Sequence, residues 1–194
     1  PLFYEDFLLS WRDIEEAEKN GYPLDLSSVR AAAKRAAKRE DELILYGNDS
    51  LSLQGLMNAS GSYHIKMKDW NQGENAFINV AEGISHLFSA GCQGRKALVV
   101  SPDLYLALQR LQQSAGMLEA DRIQKLIDGH ILPLGDFGTG KAVLVCAEPE
   151  YMDLALGMDF SIGYSEMKDF NHVFRLMETA ALRIKNPEAI VVFE

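Results

Sequence analysis

The sequence predicts an α+β fold, and three observations carry the prediction. Residues 25–47 bear a long apolar stripe at helical spacing, and residues 172–193 include a run that alternates with the two-residue period of a strand. Helical and strand patterns are interspersed without a regular strand–helix–strand repeat, which favours α+β over a doubly wound sheet.

Taken in order, residues 1–9 mix aromatic, acidic and apolar side chains and read as an extended segment leading to the polar stretch 12–20, which Gly21, Tyr22 and Pro23 break. The first helix follows. Asp25, Ser27 and Ser28 offer capping oxygens, Val29, Ala32, Ala33, Ala36, Ala37, Glu40, Leu43 and Ile44 form its stripe, and Gly47 stops it. Beyond a loop over 48–62, a second helix is expected over 74–88, with Phe77, Val80, Ala81, Ile84, Leu87 and Phe88 on one side. Residues 96–101 read as a buried strand, and Pro102 opens a helix carrying Leu104, Leu108 and Leu111. Residues 112–117 are a polar, small-residue break, after which a short helix through Ile123 and Leu126 ends at Gly129. Strands are expected over 131–134, 142–147, 154–156 and 172–193, with Pro187 dividing the last into two strands or bending one.

Composition narrows the function. The 194 residues carry 19 Lys+Arg against 28 Asp+Glu, a formal net charge of -9 that disfavours phosphate backbones as partners. The one mainly basic stretch, 30–39, is interleaved with alanines and runs into Glu40, Asp41 and Glu42, as a solvated helix face does. Cys92 and Cys146 form no Cys-x-x-Cys pair, which signals neither a zinc site nor a redox motif and fits a reducing cytoplasm. No apolar run approaches the roughly 18 residues of a membrane span. The chain opens on Pro1 rather than Met, as a processed or incompletely represented chain would.

The search for chemistry returns no catalytic residue, metal ligand or cofactor site. Gly135 to Lys141 has the spacing of a phosphate-binding loop, but Ala142 replaces the magnesium-binding hydroxyl and the next residues read as a strand, so a glycine-rich turn is expected. His64, His86, His130 and His172 lie in separate elements with no acid or thiol at ligand spacing. Glu178 fits a charge paired at a packing or subunit interface better than a buried general acid. Trp70 reads as a core or staple residue, whereas Trp11 is open between subunit contact, local packing and ligand stacking.

Several motifs resemble one family. Leu156-Gly-Met-Asp-Phe-Ser-Ile-Gly-Tyr164, Val173-Phe-Arg-Leu-Met-Glu-Thr179 and Asn186-Pro-Glu-Ala189 followed by Ile190-Val-Val-Phe193 are similar, in order and spacing, to the closing signature of encapsulin (linocin-type) shell proteins, which share the tailed-phage major capsid fold. Leu24-Asp-Leu-Ser-Ser28, Glu40-Asp-Glu42, Tyr46-Gly47 and Gly55-Leu56 resemble the family's spine helix and the turn after it, and Asp128-Gly129-His-Ile131 its central domain.

The resemblance implies a layout: residues 1–24 as the returning half of an extended loop, 25–91 with 172–194 as a peripheral domain, and 92–171 as an axial domain. It places Gln113, Ser114, Ala115, Gly116 and Met117 in a five-fold pore loop, where small side chains suit a narrow channel. Trp11 lies near where some relatives stack a flavin. The family's helix and arm upstream of the extended loop, which help dock the cargo's targeting peptide, are absent from the sequence as written. The segment Glu178-Thr-Ala-Ala-Leu182 is less bulky than in many relatives. The implied function is a cytoplasmic icosahedral shell of many copies around a cargo enzyme, a ferritin-like iron-oxidising protein or a dye-decolourising peroxidase. The alternative is the major capsid protein of a tailed phage, located in the virion and enclosing DNA. The opposing class is a soluble enzyme built on Glu178 or the glycine-rich turn.

Overall fold

The computed structural model describes residues 1–112 and 116–194. The chain begins with strand β1 (Leu2–Ser10) and passes directly into helix α1 (Trp11–Asn20), where Ser10 caps the start by accepting from the Arg12 N–H at 3.2 Å. Gly21, in the left-handed region, ends it. Helix α2 (Ser27–Tyr46) is preceded by Asp25, whose carboxylate accepts from the Ser27 N–H and hydroxyl. Next come β2 (Tyr63–Ile65), α3 (Asn75–Ser89), β3 (Lys96–Val100), α4 (Pro102–Leu108), and the short strands β4 (Leu111–Gln112) and β5 (Met117–Leu118). The chain closes with α5 (Glu119–Ile127), β6 (Gly129–Pro133), β7 (Ala142–Cys146), β8 (Met152–Lys168), β9 (Asn171–Ile184) and β10 (Ile190–Phe193).

These elements form two compact units, the first made of Pro1–Leu53 and Leu154–Leu182. Its sheet has the order β1-β9-β8, with β1 antiparallel to β9 from Leu2 opposite Thr179 to Ser10 opposite Asn171. α2 lies on β1 and β9 through a small core of Phe7, Ala32, Ala36 and Leu176, flanked by Leu9, Val29 and Phe174. The buried alanines let the helix backbone approach the sheet, while Phe7 stacks on Phe174 at 5.6 Å. Arg35 and Arg39 of α2 both reach Glu5 of β1, at 2.7 and 2.8 Å. On the other side of the strands, Arg175 grips Asp6 with two hydrogen bonds of 2.7 and 2.8 Å.

The second unit, Gln54–Asp153 with Arg183–Glu194, contains a mixed sheet of order β2-β10-β7-β3-β6. β10 runs parallel to β2 and antiparallel to β7, and β3 runs antiparallel to β7 and parallel to β6. β7 and β10 are buried at every position and form the core of the unit. α3 packs closely on this sheet at Gly83, where a Cβ would lie 3.2–3.3 Å from Leu144, Phe193 and Val191. Trp70 is a buried core residue, as expected; its indole N–H donates to Asn79 Oδ1 at 3.1 Å and its ring meets Phe193 edge-on. Gly129 starts β6 beside the Lys96 carbonyl, where a Cβ would come within 1.9 Å of the oxygen.

The structure departs from the sequence reading in four places. Residues 11–20 are a helix rather than an undefined polar stretch, and Tyr63–Ile65 is a strand that the loop composition conceals. The strand expected at 154–156 runs on to Lys168, because Gly157 and Gly163 are covered by cross-strand side chains, Thr179 Cγ2 and Met177 Cε, each 3.2 Å from where a Cβ would sit. Leu111, expected on the helix that Pro102 opens, lies instead in β4, because α4 ends at Leu108. β10 pairs with β7, and β8 with β9, and the two units divide the chain at 53, 153 and 182. The reason is pairing between segments far apart in the chain, which no local pattern announces.

Candidate functional site

The glycine-rich segment 135–141 is the turn that the sequence predicts. β7, not a helix, follows it, and the Gly140 N–H already donates to Asp103 Oδ2 at 3.0 Å, so a carboxylate sits where a phosphate would. The histidines are scattered. His130 is exposed on β6, His86 stacks on Tyr63 at 3.8 Å, and His172 lies 5.9 Å from the Tyr164 ring. Among the described residues no group of three or more His, Cys, Asp or Glu side chains is placed to hold a metal ion. Cys92 and Cys146 are buried free thiols, and burial pushes both above the usual thiol range.

One arrangement escapes the sequence reading. Ser62 Oγ lies 3.1 Å from His64 Nε2, and His64 Nδ1 lies 2.9 Å from Glu194 Oε1. The order resembles a nucleophile relay, but the Ser62 hydroxyl also lies 2.8 Å from the Ala59 carbonyl, which competes with the imidazole for its proton. The three side chains sit on the outer edge of the second unit's sheet and read as a surface network.

Glu178 is 2% exposed, and its Oε2 has no hydrogen-bond partner. The expected pairing is therefore not found within the described residues. Burial first, then the nearby carboxylates of Glu40 and Asp159, push its carboxyl above the usual range. Glu40 is raised in the same way, by burial and then by Asp41 and Asp159. This acidic cluster joins α2 to the β8–β9 sheet, and the charges that act on Glu178 and Glu40 are those of other carboxylates.

Of the pore-loop candidates, Gln113, Ser114 and Ala115 lie outside the described residues. Gly116 has φ +63 and donates its N–H to the Gln112 carbonyl at 2.8 Å, while Met117 pairs with Gln112 across β4 and β5. The base of this hairpin is firmly held. Glu119, fully buried, accepts from Gln112 Nε2 at 2.9 Å, Arg110 Nη2 at 3.1 Å and the Phe77 N–H at 3.3 Å. Arg110 also donates to the carbonyls of Trp70, Asn71 and Ala107. Trp11 lines a groove of about 510 Å³ with Ile14, Glu15, Glu18, Met167, Phe170 and His172. Among the other exposed apolar side chains, Leu156, Met158, Phe160, Ile162 and Tyr164 alternate along β8.

The same fold is found in solved particles. The chain superimposes with a TM-score of 0.84 and 22% identity on the virus-like particle from Pyrococcus furiosus, covering 100% of this chain and 76% of that one. On the capsid of Myoviridae phage XM1 the TM-score is 0.75 at 14% identity, covering 100% and 72%. The fold is that of tailed-phage capsid proteins and encapsulins. Residues 1–181 match the Linocin_M18 family, encapsulating protein for peroxidase, and the chain belongs to that family. The type 1 encapsulin shell protein EncA of Myxococcus xanthus is 39% identical over 194 residues, which are 100% of this chain and 68% of that protein. The expectation of an encapsulin-type shell protein with an α+β capsid fold is borne out.

Proposed function

We propose that this chain tiles with copies of itself into a hollow icosahedral nanocompartment that encloses a cargo enzyme and works through its surfaces rather than by catalysis. The observation that carries the reading is the family match, which runs through residues 1–181 and extends over most of both units. The family description supports a peroxidase as cargo, and a ferritin-like iron-oxidising protein is the second candidate by resemblance. The first unit then corresponds to the peripheral domain with its spine helix α2 and the extended-loop strand β1. The second unit corresponds to the axial domain, and its hairpin β4–β5 carries residues 113–117 to a five-fold channel. A targeting peptide on the cargo is the expected link to the shell wall. The compartment is cytoplasmic and encloses protein rather than DNA.

Size-exclusion chromatography and electron microscopy of the full-length protein test the proposal. Hollow particles of megadalton mass are expected. A discrete monomer or dimer that turns over a substrate would overturn it. The likeness to the phage XM1 capsid supports a second reading, a prophage capsid. Particles packed with DNA would favour that reading, and particles packed with a cargo enzyme exclude it.

A further inference from the structure

The turn between β8 and β9 consists of Asp169 and Phe170, with φ +49 and +61. Two-residue turns with both central residues at positive φ strongly prefer Asn-Gly or Asp-Gly, because a Cβ is strained there. The first position obeys the rule and the second breaks it with a bulky aromatic. Phe170 is also 74% exposed, so within the chain the ring recovers little of that strain. A strained residue that its own fold does not need points to a task outside the fold.

The surroundings of Phe170 indicate the task. It lines the groove of Trp11, Ile14, Met167 and His172, whose rim carries Glu15 and Glu18. The wall that supplies Trp11, Ile14 and the two acids is α1, a ten-residue helix with no buried residue. Helices of that length seldom persist without a packed face. A suitable cover is apolar at its centre, low in profile and basic at its edges.

The mainly basic stretch of the chain presents such a surface. Arg30, Ala33, Lys34 and Ala37 recur at i, i+3, i+4 and i+7 on the exposed side of α2, opposite the buried Ala32 and Ala36. We propose that the Trp11–Phe170 groove of one copy receives this Arg30–Ala37 face of a second copy. The two alanines let the indole and phenyl rings lie against the helix. Arg30 and Lys34 reach the acidic rim and the aromatic faces. Groove and helix face are different patches, so the contact is heterologous and can continue from copy to copy into a closed ring. The proposal rests on the shell reading and assigns residues to one of its interfaces.

The test measures, for the full-length protein, the concentration at which particles form by light scattering, and thermal unfolding below that concentration. Phe170→Gly relieves the turn, so the unfolding temperature is expected to rise by roughly 2–4 °C. The same change removes an aromatic anchor, so the assembly concentration is expected to rise about tenfold or more. A stabilised fold that assembles worse is an outcome that a purely structural role for the ring does not produce. Charge reversal with Arg30→Glu and Lys34→Glu is expected to raise the threshold similarly, and adding Glu15→Lys and Glu18→Lys is expected to restore it.

An unchanged threshold in Phe170→Gly, or failure of the compensating reversal to restore assembly, would overturn the docking proposal while wild-type particles still form. A planar small molecule held in the groove of intact particles would also overturn it. Absence of particles from wild-type protein would remove the shell reading itself, and the interface with it.

Discussion

Replacing Glu178 by glutamine isolates the energetic cost of the acidic cluster between α2 and the sheet. The carboxyl is 2% exposed, its Oε2 makes no hydrogen bond, and Glu40 and Asp159 act on it with the same sign of charge. Glutamine keeps the shape, sacrifices no hydrogen bond at that oxygen, and removes the charge that burial penalises. Because the folded-state carboxyl is raised above its unfolded value, the folded chain holds the proton more tightly than the unfolded chain does. The wild-type contribution is therefore fully present below the ordinary glutamate value of about 4.3 and is lost as pH rises through the folded value.

Glu178→Gln should then match wild type near pH 4 and become the more stable of the two as pH rises, by about 1.4 kcal/mol for each pH unit by which the folded value exceeds the unfolded one. Thermal unfolding of both proteins from pH 4.5 to 9, at matched assembly state, measures the difference. A difference that does not vary with pH, or a glutamine variant that is less stable in alkali, would refute the reasoning.

Three further outcomes are expected. Gly129→Ala places a methyl 1.9 Å from the Lys96 carbonyl oxygen, which a flexible side chain cannot relieve, so β3 and β6 must separate. The cost is about 3 kcal/mol or more, visible as loss of soluble protein or a lower urea midpoint. Arg110→Ala leaves the fully buried Glu119 carboxylate without its cation and should cost about 3–5 kcal/mol, whereas Glu74→Ala, at the exposed end of an ion pair with Arg122, should cost under about 1 kcal/mol. Asp153, held down to about 2 by Arg183 and Lys185, supports the fold above the ordinary aspartate value and loses that support as pH falls from about 4 toward 2. Asp153→Asn should accordingly flatten the acid limb of the stability profile while leaving the alkaline limb unchanged.

The sequence by itself determined the elements whose causes are local. α2 was legible from its alanine stripe, from Asp25 before it and from Gly47 after it, because contacts between i and i+4 and a capping oxygen lie within a few residues of each other. β3, β7 and the break at Pro187 were legible for the same reason. The family was legible because its motifs keep their order along the chain.

What the tertiary structure decided depends on partners distant in sequence. Gly157 and Gly163 look like breaks until Thr179 and Met177 cover them. β10 looks like a continuation of β9 until β7 and β2 claim it. Glu178 looks like half of an ion pair, yet its neighbours are two more acids. Phe170 is an ordinary aromatic in the sequence; only the backbone at φ +61 reveals that the ring is held outward at a cost to its own turn. Each of these follows from register, and register is set by which distant strand a segment pairs with, a quantity that no window of consecutive residues contains.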